Sequence, residues 1–279
     1  MPVQPLVCCS GFGLHSGHTA TGGWERQPQE GLAWALGDAP PQQLGPRTAR
    51  NASGRLATDL VEPMSGRRLR TVEHWLGAAV GLGVGGLVLR GDGPELPAVG
   101  GSALEVAQAL WAAAVQLPVL ERWSPPVVID VRQGRSHGRW YPAEPDSRRS
   151  LKVVYRLDFP QTVLGTQQLE LDLTDPEHFL TEVAGARTFV AATSMEEVLQ
   201  ARQNGIGAGL KSGEGLVAGS DRWLHGEPLR WPNEAVRHKV LDLLGDLGTL
   251  GVRPAGTVVI ERGGHALHRL MARVAAGWR

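Results

Sequence analysis

The sequence predicts an α+β protein made of two domains of similar build, and three observations carry that expectation. Stretches with helical spacing and stretches with strand-like alternation occur in both halves of the chain. A breaker cluster, "ERWSPP" at 121 to 126, separates a first domain at 1–123 from a second at 127–279. Finally, "EHWLGAAVGLGVGGLVLRGDG" and "RHKVLDLLGDLGTLGVRPAGTVVIERGG" share one order of histidine, helix, glycine turn, strand and glycine turn. If two such domains face each other, their histidines can meet at the interface.

The elements follow in order. Residues 1 to 60 are rich in Gly, Pro and turn formers and read as β-rich with long loops, with "GLAWAL" at 31 to 36 a candidate strand. "TVEHWLGAAVGLG" reads as a helix capped by Thr71 and closed by glycines, and "VGGLVLR" as the strand after it. "GDGPELPAVGG" reads as a loop that needs only glycine freedom, and "SALEVAQALWAAAV" as a helix capped by Ser102 and broken by "ERWSPP". Beyond the boundary, "VVIDV", "LKVVYRLDF" and "QQLELDL" read as strands, and 175 to 217 as short helices around "GIGAGLKSGEG". The chain closes with the helix "NEAVRHKVLDLLGDLG", the strand "GTVVIER", a Gly263-Gly264 turn and a last helix from about His265.

With 279 residues and 42% hydrophobic content the chain can fill one large core or two ordinary ones. Lys plus Arg (28) balances Asp plus Glu (28), so the overall charge offers nothing to nucleic acid or a polyanionic membrane. The two cysteines, Cys8 and Cys9, are adjacent and cannot staple distant parts of a fold, which fits a reducing cytoplasm. The start lacks a signal-peptide pattern, and the most apolar window, Trp75 to Leu89, holds five glycines in fifteen residues. Membrane contact is therefore expected to be peripheral at most.

His238, Asp242 and Asp246 recur at i, i+4 and i+8 and stack along one helix stripe beside Lys239. Spacing alone leaves two readings open, a solvated face with weak ion pairs or a pair of ligands within reach of one zinc ion. A catalytic zinc takes three protein ligands. "TVEH" can supply the third as His74, with Glu73 a carboxylate free to accept a proton. His265, after the double-glycine turn, can act as an acid if a carboxylate such as Asp246 stabilises its imidazolium form. His268, one turn on, reads as ordinary surface. "SGFGLHSG" lacks the context and the lysine of a P-loop, and the nine tryptophans show no cofactor or nucleic-acid spacing.

Taken in order, "GFGLHSG", "RTVEHWLGAAVGLGV", "DGPELPAVGGSA", "ARTF", "VRHKVLDLLGDLGTLG" and "GGHAL" resemble the bacterial UDP-3-O-acyl-N-acetylglucosamine deacetylases, zinc enzymes of lipid A synthesis. The resemblance runs from about residue 10 to the last helix. It implies two two-layer α/β sandwich domains with the metal site between them. It further implies that an insert at about 190–217 forms the acyl-chain passage. It assigns Zn²⁺ to His74, His238 and Asp242, the general base to Glu73, and the general acid to His265 with Asp246 orienting it. Lys239 and Thr188 would stabilise the substrate and the oxyanion, Phe189 would contact the sugar or nucleotide, and His15 is read as structural. The implied partner is a small molecule, the acylated UDP-sugar, and a cytoplasmic monomer is expected.

Several positions depart from the family pattern. "MDGSA" is replaced by Val99-Gly100-Gly101-Ser102-Ala103, "GGSxDN" by Gly209-Leu210-Lys211-Ser212-Gly213-Glu214, a serine by Arg70 and a lysine by Arg262. The ligands and both proton-transfer residues are retained. Three functions follow for test: the authentic deacetylase, a divergent zinc amidohydrolase with altered acyl or sugar preference, or a non-catalytic binding paralogue.

Overall fold

The computed structural model describes residues 5–54, 56–147, 150–192 and 194–279. In the first half, β1 (Pro5–Phe12), β2 (Thr19–Arg26), β3 (Leu32–Leu36) and β4 (Gln42–Gln43) precede α1 (Pro46–Asn51). A small hairpin, β5 (Leu60–Val61) with β6 (Arg68–Leu69), leads into α2 (Glu73–Leu82), β7 (Leu87–Gly91) and α3 (Leu104–Ala113). The five-stranded sheet has the order β1-β2-β7-β3-β4, parallel only between β3 and β7.

The second half repeats this plan. After β8 (Arg122–Trp123) come β9 (Ile129–Gln133), β10 (Ser136–Tyr141), β11 (Leu151–Phe159), β12 (Gly165–Asp172) and α4 (Pro176–Glu182). A small unit of β13 (Phe189–Ala191), α5 (Met195–Gln203) and β14 (Leu216–Ala218) follows. The chain then runs through α6 (Glu234–Gly248), β15 (Arg253–Pro254), β16 (Gly256–Glu261) and α7 (His265–Ala275). Read from its β9 edge, the second sheet is β9-β10-β16-β11-β12, parallel only between β11 and β16. Strand for strand this is the first sheet again, with α2 before β7 matching α6 before β16. The α+β fold of two similar domains is thus present, and the repeat that was loose in sequence is a shared topology.

The two halves close on each other through α2 and α6. Every residue of α2 is buried, and its sequence is apolar almost all round, as a helix enclosed on all sides requires. Glycines set the approach: a Cβ on Gly77 would meet Leu241 at 2.7 Å, one on Gly248 would meet Val80 at 2.8 Å, and one on Gly245 would overlap the Glu73 backbone. One core runs through both halves, from Trp24, Trp75 and Leu89 to Trp140, Tyr155 and Leu244. No helix is long and apolar enough to cross a membrane among the described residues.

Three local expectations are corrected. Thr71 does not cap α2; its φ is 57° and its hydroxyl donates to Glu95 Oε1 at 2.8 Å, so a distant carboxylate outcompetes the local amide. Ser102 sits one residue ahead of the α3 cap position, which Ala103 occupies. Helix α3 ends at Ala113 and a 3₁₀ turn follows at Ala114–Gln116, well before "ERWSPP", where β8 pairs in parallel with β15.

Candidate metal centre and active site

Helix α6 and the first turn of α2 bring the chemistry-bearing side chains together. The i, i+4, i+8 stripe of α6 faces inward, so His238, Asp242 and Asp246 are all buried, and Gly245 lets the start of α2 lie directly against it. One nitrogen each from His74 and His238 and one oxygen of Asp242 lie within 4.8 Å of one another. Asp242 Oδ1 is 3.3 Å from His238 Nε2 and 3.7 Å from His74 Nε2, yet it accepts no hydrogen bond. A buried carboxylate oxygen without a donor, faced by two imidazole nitrogens, fits a cation.

The protonation states agree with that fit. Burial pushes the His74 pKa down to about 3 and lowers that of His238, so both rings are neutral at pH 7. His238 Nδ1 is 3.0 Å from the Ala186 carbonyl, to which it donates, and Nε2 is left with its lone pair toward Asp242. Burial works against ionisation of Asp242, but the cationic groups around it, Lys239 among them, outweigh it and hold its pKa well below the ordinary value.

Beside this cluster lie two groups suited to move protons. Burial pushes the Glu73 pKa up to about 8 against the pull of His265. Its Oε1 is 3.9 Å from His265 Nε2. Burial lowers the His265 pKa, but Asp246 and then Asp242 more than offset this and raise it to about 9. Both His265 Nδ1, at 3.0 Å, and His268 Nδ1, at 2.9 Å, donate to Asp246 Oδ2. Burial opposes ionisation of Asp246, yet these imidazoles hold its pKa far below the ordinary carboxylate range.

His268 corrects the surface reading: it is wholly buried, and its Nε2 lies 3.0 Å from the Tyr155 hydroxyl. Sequence spacing hid this because both partners are more than twenty residues away, on α6 and β11. The loop at 92–98 also does more than turn. Buried Glu95 accepts from the backbone N–H groups of His15 at 2.9 Å and Ser16 at 2.8 Å and fixes the glycine-rich segment there. His15 is buried in that segment, and its Nδ1 lies 3.4 Å from the Gly207 amide.

A cavity of about 670 Å³ opens over these groups and is lined by eight of the nine residues singled out in the sequence. The ninth, Asp246, stands behind His265. Lys239 Nζ is 2.8 Å from Asp242 Oδ2 and 5.2 Å from the centre of the Phe189 ring, so cation and aromatic face share one wall. Thr188 is placed by backbone bonds to Gly101 and Leu216. Its neighbour Arg187, unnoticed in the sequence, clasps buried Glu234 at the head of α6 through Nε at 2.8 Å and Nη2 at 3.0 Å. The far wall comes from α5 and the loop after it, with Met195, Val198, Ala201, Ile206 and Leu210. Two departures meet nearby, since a Cβ on Gly101 would overlap the Glu214 carbonyl. Arg262 also lines the cavity and is 3.3 Å from Asp158 Oδ2.

Comparison with known proteins places the chain in a family. The profile of the family described as UDP-3-O-acyl N-acetylglycosamine deacetylase matches residues 2–276. A UDP-3-O-acyl-N-acetylglucosamine deacetylase of Synechocystis sp. is 36% identical over 78% of this chain and 76% of its own length. Proteins of the same name from Thermosynechococcus vestitus (34% identical, 97% of this chain, 91% of the relative) and Nitratidesulfovibrio vulgaris (32%, 98% and 86%) extend the likeness to almost the whole chain.

Proposed function

Because this chain belongs to the UDP-3-O-acyl N-acetylglycosamine deacetylase family, we propose that it hydrolyses the N-acetyl group of UDP-3-O-acyl-N-acetylglucosamine, releasing acetate, in lipid A biosynthesis. The observation that carries this reading is the donor-less Asp242 Oδ1 between two neutral imidazoles, with a base and an acid on either side. His74, His238 and Asp242 would hold Zn²⁺. Bound there, zinc supplies the Lewis acidity that an unactivated acetamide demands.

The chain's own residues do the rest. Glu73 takes a proton from the attacking water, a task suited to a carboxylate whose pKa is pushed up to about 8. Lys239 and the Thr188 hydroxyl, both on the cavity wall, stabilise the negative charge that develops on the acyl oxygen. His265, charged by Asp246, gives its Nε2 proton to the departing amine nitrogen, which cannot leave as an anion. Phe189 offers an apolar face to the sugar, and the α5 side of the cavity accepts the acyl chain. We place the domain boundary at 124–126, since the strands of the first sheet end at Gly91 and those of the second begin at Ile129.

The test is direct. Purified protein loaded with one equivalent of zinc releases acetate from the acylated UDP-sugar, and a chelator abolishes the release; no acetate under these conditions refutes the reading. A second reading, a zinc amidohydrolase with altered acyl or sugar preference, is favoured by one observation: the replaced loop, Leu210 to Gly213, itself lines the cavity. Rates across a series of acyl lengths separate the two.

A further inference from the structure

We propose that Thr58 is a positioning residue that holds both proton-transfer branches of the site, fixing Glu73 with its backbone and Asp246 with its hydroxyl. The proposal rests on the deacetylase reading for the roles of those two carboxylates.

Thr58 is fully buried in the segment that precedes β5, and every polar group it owns is engaged. Its N–H donates to Glu73 Oε2 at 2.9 Å, which leaves Oε1 on the side of His265. Its carbonyl accepts from the N–H of Val72, the residue that opens α2, at 3.1 Å. Its hydroxyl lies 2.5 Å from Asp246 Oδ1 and 3.0 Å from Arg269 Nη1. A guanidinium can only donate, so Arg269 occupies the hydroxyl's acceptor side and the proton must point at Asp246. Arg269 in turn is anchored to the Ala57 carbonyl at 3.2 Å and the Gly54 carbonyl at 2.6 Å, so the hydroxyl is aimed by a fixed frame.

The consequence is a division of labour on Asp246. Oδ1 is bound to Thr58 and Oδ2 is left to the two imidazoles, so the carboxylate cannot rotate without breaking three bonds. A carboxylate fixed in this way fixes the ring of His265. The same residue also holds the base, so one threonine touches both proton-transfer branches.

Thr58→Val keeps the shape and the backbone N–H while removing the hydroxyl, and Thr58→Ser restores the hydroxyl without the methyl. We expect kcat to fall about tenfold or more in Thr58→Val with KM within about twofold of the parent, and Thr58→Ser to recover most of the loss. A second arm reads the geometry without turnover. The downfield Nδ1 proton resonances of His265 and His268 are expected to shift together in Thr58→Val and to return in Thr58→Ser. An unchanged kcat with unmoved resonances overturns the proposal, as does a loss that Thr58→Ser leaves unrepaired. If the parent itself releases no acetate, the deacetylase reading fails, and the resonance arm still decides whether Thr58 holds Asp246.

Discussion

In the first half of the molecule, the strand that follows the histidine-bearing helix, β7, runs into a loop whose Glu95 binds the amides of His15 and Ser16. In the second half the equivalent strand, β16, runs into Gly263-Gly264 and presents His265 to the cavity. Topology is therefore shared while the use of each position is not: one strand end supplies a brace and the other the proposed acid. The histidine helices divide in the same way. Helix α2 gives one proposed ligand and the proposed base from its first turn, whereas α6 gives two proposed ligands and the carboxylate beside His265 along its length. The comparison teaches that a repeated frame places side chains at equivalent points, and that burial and neighbours then decide which of them do chemistry.

The sharpest test of this division removes the two proton-transfer groups, one from each half. Glu73→Ala and His265→Ala are each expected to lose about a hundredfold or more of kcat while retaining one bound metal by elemental analysis. Full activity in either variant assigns its task elsewhere. Next in size is the contact between the halves: Gly245→Ala puts a methyl into the Glu73 backbone. Overpacking of this kind is expected to cost about 1–3 kcal/mol in urea unfolding and to depress kcat by displacing the base. A parent-like variant would mean that the two helices can part without consequence.

The brace is expected to respond differently. Glu95→Gln offers only one acceptor atom where two backbone donors and the Thr71 hydroxyl now bind, so stability should drop by about 1–3 kcal/mol with a smaller effect on kcat. A large catalytic loss at parental stability would make Glu95 a second functional strand end and erase the contrast. The smallest effect concerns pH. Burial works to raise the Glu95 pKa, but the donors of Ser16, His15 and Thr71 outweigh it, so it lies below its ordinary 4.5. A carboxyl with a lower pKa folded than unfolded contributes stability that is complete above the unfolded value and lost as pH falls through the folded one. Below pH 4.5 the stability gap between parent and Glu95→Gln is therefore expected to narrow, as urea titrations across that range would register.

Much of the site was legible because its residues are local to one another. The i, i+4, i+8 stripe fixes a shared helix face, and "TVEH" keeps Glu73 and His74 adjacent. The second half of each interaction was not legible. Thr71 and Ser102 look like caps in a local window, yet Thr71 serves a carboxylate 24 residues on. His268 looks like surface because nothing near it in sequence announces Asp246 or Tyr155. Arg187 and Glu234, 47 residues apart, form their clasp only once α6 is packed. The strand plan of each half was partly readable, but the equality of the two sheets depends on pairing order, which alternation along a single strand does not encode.

The unit of β13, α5 and β14 pairs with neither large sheet: its two strands form a sheet of their own and α5 connects them. Its residues nevertheless form the far wall of the cavity. Changing that wall need not disturb the register of β11 with β16 or the contact of α2 with α6. Under the proposed function, selectivity and catalysis would thus reside on separately inheritable parts of one chain, so that a lineage could retune what enters the cleft while the chemistry passes on intact.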